Sequence, residues 1–157
     1  MLINVICILA IVGLDQLVKY GAVTDLSTMA TYPLWPNVFH LTYTENRGVS
    51  FSLFHGHVPV ITLVTAVMLV VLLWLLYKYG KVDRSFRISL IYIIGGALGN
   101  LIDRVCRGFV VDMFDFRLIN FAIFNVADCF IVIGVIMLMI YIFFFDRTIF
   151  PKEEKKH

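Results

Sequence analysis

Charge is scarce in this chain. Only 15% of its 157 residues are Asp, Glu, Lys or Arg, against 61% hydrophobic residues. A soluble core of this size is not expected from that balance. The mean hydropathy of +0.91 and the grouping of apolar residues into blocks indicate a membrane protein of one domain, residues 1–157. The net charge of +2 is too small to suggest a nucleic-acid partner. Cysteine is also scarce: Cys7, Cys106 and Cys129 are odd in number, form no Cys-x-x-Cys, and are read as packing residues. Asn4-Val5-Ile6 puts no small residue just before Cys7, and no positive charge precedes it, so the first apolar segment is expected to be an uncleaved span. His55-x-His57 has no Cys or carboxylate at ligand spacing, and no metal or other cofactor is expected.

Four apolar runs are present, at about 2–23, 58–77, 86–105 and 121–145. They predict an all-α membrane fold, a four-transmembrane-helix bundle. Between the first two, residues 25–57 carry Pro33, Pro36, Gly48 and Gly56 and an alternating piece, Val38 to Thr44. That pattern predicts one or two short strands outside the hydrocarbon, followed by a turn at 45–48. Trp35 and Tyr43 suit an aromatic belt, and Phe51, Leu53 and Phe54 suit the interface. The second run has no ionisable residue and is expected to face lipid.

Lys78, Lys81 and Arg84 lie between the second and third runs with Arg87 at the start of the third, and Arg147, Lys152, Lys155 and Lys156 follow the fourth. With four spans, that loop and both termini share a side. The positive-inside rule makes it cytoplasmic, including the basic tail 146–157. Helix direction then brings the polar residues of the spans, except Asn4 and the weakly polar Ser and Thr, to one depth. Asp15 and Lys19 sit in the outer half of the first span, with Lys19 either pairing with Asp15 or snorkelling to headgroups. Asn100, Asp103 and Arg104 share one face at the outer end of the third, behind Gly95-x-x-x-Gly99, which admits a close helix neighbour. Asn125 and Asp128 open the fourth, and Asn46 and Asp112 belong to the outer segments. An acid at such depth costs about 2.5–3.5 kcal/mol on insertion scales, so a concentration of them marks a functional site.

Two converging carboxylates at an apolar boundary tend to share a proton, which supplies a general base for water and a general acid for a leaving amine. Asp112, read as a loop residue, and Asp128 are that pair. The chain lacks His-Glu-x-x-His, Gly-x-Ser-Gly and Gly-x-Gly-Asp, the marks of other intramembrane proteases. A proton-coupled transporter would want polar groups across the full thickness, and the inner half is bare. A silent scaffold for lipidated peptides is the third reading.

Five ordered pieces now fall into place: Asp15-Gln16-x-x-Lys19, Asn46-x-Gly48-x-x-Phe51, Gly99-Asn100-x-x-Asp103-Arg104, Val110-Val111-Asp112 and Phe124-Asn125-x-Ala127-Asp128. They resemble the motif blocks of the bacterial signal peptidase II, or lipoprotein signal peptidase, family. The resemblance implies an aspartic endopeptidase of the bacterial cell membrane, with its active site on the extracytoplasmic side. It implies cleavage of lipid-modified prolipoproteins before the diacylglyceryl cysteine. It makes the outer segment between the first two helices a small extracytoplasmic β cradle, and it places Asp112 and Asp128 in the catalytic positions. Asn46, Gly48, Asn100, Arg104 and Asn125 match positions that line the site or contact substrate or the cyclic peptide inhibitor globomycin. Asp15 and Lys19 are expected to brace the site, Asp103 to orient or pair with Arg104, and Asp115 to be structural. The expected partners are prolipoproteins, membrane lipids and such inhibitors, with the enzyme a monomer. Val49 and Ser50 depart from the two alanines usual in the second block.

Overall fold

The computed structural model describes residues 1–48, 57–81 and 83–145. Phe51, Leu53, Phe54, His55, the Val49-Ser50 departure and the basic tail lie outside them. Helix α1 spans Leu2–Gly21 and runs on into a π-helical turn, Ala22–Leu26. Strands β1, Tyr32–Trp35, and β2, Phe39–Asn46, follow, then helices α2, Val58–Tyr79, and α3, Arg84–Arg107. Strand β3, Val110–Phe116, leads through a 3-10 turn, Arg117–Ile119, towards α4, Val126–Phe144. All four α-helices are long and apolar enough to cross a membrane.

Helix α3 is the hub, packing against α1, α2 and α4. Of its apolar window 44% is buried, against 6% for α2, which fits α2 as a lipid-facing wall. Ile8 and Ile11 of α1, Leu69 and Leu76 of α2, and Leu90, Ile91 and Ile94 of α3 form the main core. The helix begins at an Asp83 cap, whose Oδ1 accepts the N–H groups of Ser85 (2.7 Å) and Phe86 (3.0 Å). It ends at Gly108, whose φ of 78° only glycine adopts without strain, and the chain turns there into β3. Small residues set the helix distances. A Cβ at Gly96 would collide with the Ala127 carbonyl of α4, and one at Gly99 would stand 2.5 Å from Asp15 Oδ2 of α1.

The sheet is antiparallel in the order β1-β2-β3. It is therefore not built only from the segment between the first two helices, because its third strand comes from beyond α3. Two further expectations change with it. Asp112 is a strand residue: Val110-Val111-Asp112-Met113 is buried on both faces and so hides the alternation a half-exposed strand would show. The fourth helix starts at Val126, not near 121, because Phe124 bridges to Phe114 and holds 121–124 against the sheet. The turn expected at 45–48 also starts late, since Glu45 and Asn46 still pair with Val111 and Val110. Cys7 and Cys106 are exposed, so only Cys129 is partly packed.

Candidate active site

The register of β2 against β3 contains one irregularity, and the site depends on it. Leu41 pairs with Phe114, yet Thr44 pairs with Asp112, so β2 carries one extra residue between them. Continued without that bulge, the pairing would bring Glu45 to the Asp112 face and turn Asn46 away. With it, Asn46 and Asp112 share a face, and Asn46 Nδ2 donates to Asp112 Oδ2 at 2.9 Å. The other oxygen, Oδ1, accepts Asn125 Nδ2 at 2.6 Å.

Asn125 is the N-cap of α4. Its Oδ1 accepts the Asp128 N–H at 3.0 Å, while its own N–H donates to Asp128 Oδ2 at 3.2 Å, a reciprocal capping box. This is why a spacing of three, expected to put both residues on one helix face, instead puts Asn125 just outside the helix with its amide turned to Asp112. The remaining oxygen of Asp128, Oδ1, accepts Asn100 Nδ2 at 2.8 Å. Asn100 Oδ1 in turn receives Lys19 Nζ at 2.9 Å and Asn125 Nδ2 at 3.2 Å. Two donors on that oxygen fix the orientation of the amide, with its NH₂ towards Asp128.

Cations are kept one layer away. Lys19, fully buried, does not snorkel: its ammonium meets Asp15 Oδ2 at 2.8 Å, Asp103 Oδ2 at 2.9 Å and Asn100 Oδ1, which uses all three of its protons. Asp103 does not pair with Arg104 as expected. It accepts from Lys19, from Arg107, from Gln16 Nε2 at 3.2 Å and from the Val111 N–H at 3.2 Å. Arg104 donates to the Gly48 carbonyl at 3.2 Å, and the Gly48 N–H donates to Asn46 Oδ1 at 3.0 Å. Among the described residues no ion pair reaches Asp112 or Asp128. Burial first, and the Asp128 charge second, push the Asp112 carboxyl from its ordinary 3.8 up to about 7, against the amides of Asn46 and Asn125 and the Lys19 charge.

All ten candidate residues thus fall in one hydrogen-bonded assembly, which Gln16 and Arg107 join. Arg107 was legible, lying four residues beyond Asp103 on the same helix face; Gln16 had only its place beside Asp15 as a signal. Asp115 stands apart. Its Oδ2 accepts from Thr42 Oγ1 at 2.7 Å and Arg117 Nε at 2.8 Å, next to the buried His40.

Two carboxylates at one end of a bundle of membrane-length helices, held by neutral amides and with one acid disposed to keep its proton, are the build of a membrane-embedded aspartic protease. Comparison with known proteins agrees. Residues 7–144 match the family model for Signal peptidase (SPase) II. The chain is 45% identical over 145 residues to the lipoprotein signal peptidase of Clostridioides difficile strain 630, covering 92% of this chain and 97% of that one. It is 42% identical over 135 residues to that of Streptococcus pneumoniae R6, covering 86% and 88%. A solved bacterial membrane enzyme, determined by the in meso method at 2.3 Å resolution, superposes with a TM-score of 0.87 at 27% identity, covering 100% of this chain and 95% of that one. The chain belongs to the signal peptidase II family.

Proposed function

We propose that this protease removes the signal peptide of diacylglyceryl-modified prolipoproteins, cutting before the lipidated cysteine, with Asp112 and Asp128 as its catalytic pair. The observation that carries the assignment is the shared amide relay. Asn46, Asn100 and Asn125 orient both carboxyl groups and put no positive charge directly on either. One proton stays on the pair. The ionised carboxylate takes a proton from water as its oxygen attacks the scissile carbonyl. The protonated partner supplies a proton as the C–N bond breaks and the cysteine amine leaves. The products are a signal peptide ending in a carboxylate and a lipoprotein beginning at its lipidated cysteine. Gly48 and Arg104 are tied to each other and to Asn46, which supports a substrate-lining role for both beside the pair.

The cations where α2 ends and α3 begins, and those of the tail, support a cytoplasmic position for both termini in a bacterial plasma membrane. The sheet and the carboxylate pair then open outward, where a lipidated precursor lies in the outer leaflet. The enzyme works as a monomer amid membrane lipids, and a cyclic peptide such as globomycin competes for the same site. A mass-spectrometric cleavage assay on lipidated and unlipidated precursor tests this. The expected result is a single cut before the cysteine, only on the lipidated form and blocked by globomycin. Equal cutting of the unlipidated precursor would overturn the substrate assignment.

A further inference from the structure

The layer behind the carboxylate pair has an order of its own. Asp15 Oδ1 accepts the main-chain N–H of Ala127 at 2.9 Å, one residue before Asp128. Asp103 Oδ2 accepts the main-chain N–H of Val111 at 3.2 Å, one residue before Asp112. Lys19 Nζ joins the two acids, at 2.8 Å from Asp15 and 2.9 Å from Asp103. Three fully buried side chains thus link the backbone beside one candidate catalytic acid to the backbone beside the other. Gln16 stiffens the link, its two Nε2 protons shared among Asp15 Oδ2 at 3.3 Å, Asp103 Oδ1 at 3.2 Å and the Gly99 carbonyl at 3.2 Å. With Arg107 also on Asp103, the two cations balance the two acids.

Stability alone does not account for such a group. Well-packed apolar residues commonly replace a buried ion triad with no loss of stability. What apolar residues cannot do is accept two chosen backbone N–H groups.

We propose that Asp15, Lys19 and Asp103 are positioning residues that fix the gap between the Asp112 and Asp128 carboxyl groups through the Val111 and Ala127 amides. The proposal rests on the assignment of Asp112 and Asp128 as the catalytic pair. Gly99 offers a way to test it without removing any charge. A Cβ there stands 2.5 Å from Asp15 Oδ2 and 3.2 Å from Asp15 Cγ, so Gly99→Ala must displace that carboxylate, and thermal melts separate the cost to the fold from the effect on catalysis. Gly95→Ala is the matched control. It crowds the same α1–α3 contact one turn earlier, 2.8 Å from Ile11 Cγ2, and touches no polar group.

The measurement is kcat and KM on lipidated precursor for the full chain, normalised to folded protein by thermal melts. Gly99→Ala is expected to lose about 100-fold in kcat, as a misplacement near 1 Å does, with KM held within about threefold. Gly95→Ala is expected to keep kcat within about threefold of wild type. Both glycine variants keep every charge and are compared per folded molecule, so a fall in kcat without a matching rise in KM is the readout that a merely structural role would not move. Equal kcat for Gly99→Ala and Gly95→Ala overturns the proposal. Full activity of Asp112→Asn in the same assay would instead overturn the catalytic assignment beneath it.

Discussion

Replacing Asp112 by Asn is expected to make the protein more stable at pH 8 while removing its activity. The carboxyl is 2% exposed, and its proton is held to about 7 against an ordinary 3.8. A folded-state value raised in this way stabilises the protein below the unfolded value, and that stability is lost as pH rises through the folded one. At roughly 1.4 kcal/mol per tenfold, the gap amounts to about 4 kcal/mol lost between about pH 4 and pH 7. Asn carries no charge and escapes that penalty. Its single carbonyl can serve only one of the two amide donors, Asn46 or Asn125, and leaving the other unpaired costs about 1–3 kcal/mol. The net gain is about 1–3 kcal/mol at pH 8, which raises the melting temperature by roughly 2–12 °C for a chain of this size. Thermal melts of both proteins in detergent at a series of pH values provide the check. The two curves should converge or cross as pH falls towards 5. A wild-type melting temperature that does not decline between pH 5 and 8, or an Asn variant that is the less stable at pH 8, would refute the reasoning.

Three other outcomes follow from the same geometry. The pH profile of kcat/KM should fall above about pH 7 as Asp112 loses the shared proton; a rate that stays level to pH 9 contradicts the shared-proton reading. Asn125→Ala removes the α4 cap and a donor to Asp112. It should cost about 0.5–2 kcal/mol in melts and a larger factor in kcat than in KM. For Asp115, burial raises the carboxyl, but the Arg117 and Thr42 hydrogen bonds and the Arg117 charge outweigh it and hold the value below the ordinary range. Asp115→Asn should therefore cost about 1 kcal/mol at neutral pH, a difference that narrows as acid protonates the wild-type side chain. It should leave kcat unchanged.

The features legible in the sequence were those with a local signature. Apolar length located the four helices, and spacings of three and four placed Asn100, Asp103 and Arg104 together. What stayed hidden depended on contacts between distant segments. The bulge that turns Asn46 towards Asp112 leaves no mark in β2 alone, because it exists only relative to β3. The Lys19–Asp103 pair joins positions on separate helices, and no periodicity announces it. The Asn125–Asp128 spacing was visible, but it fits a helix face and a capping box equally well. The start of α4 chose between them, and that was set by the Phe124–Phe114 bridge to the sheet. Asp112 reads as a loop residue in the sequence for a related reason: a strand covered on both faces loses its alternation.

The central claim is that Asp112 and Asp128 together carry out the hydrolysis. Its most direct test is mass-spectrometric cleavage of a lipidated prolipoprotein by Asp112→Asn and Asp128→Asn, each purified as a folded membrane protein beside wild type. The expected result is a product beginning at the lipidated cysteine from wild type and none from either variant. Normal product from either one would contradict the claim.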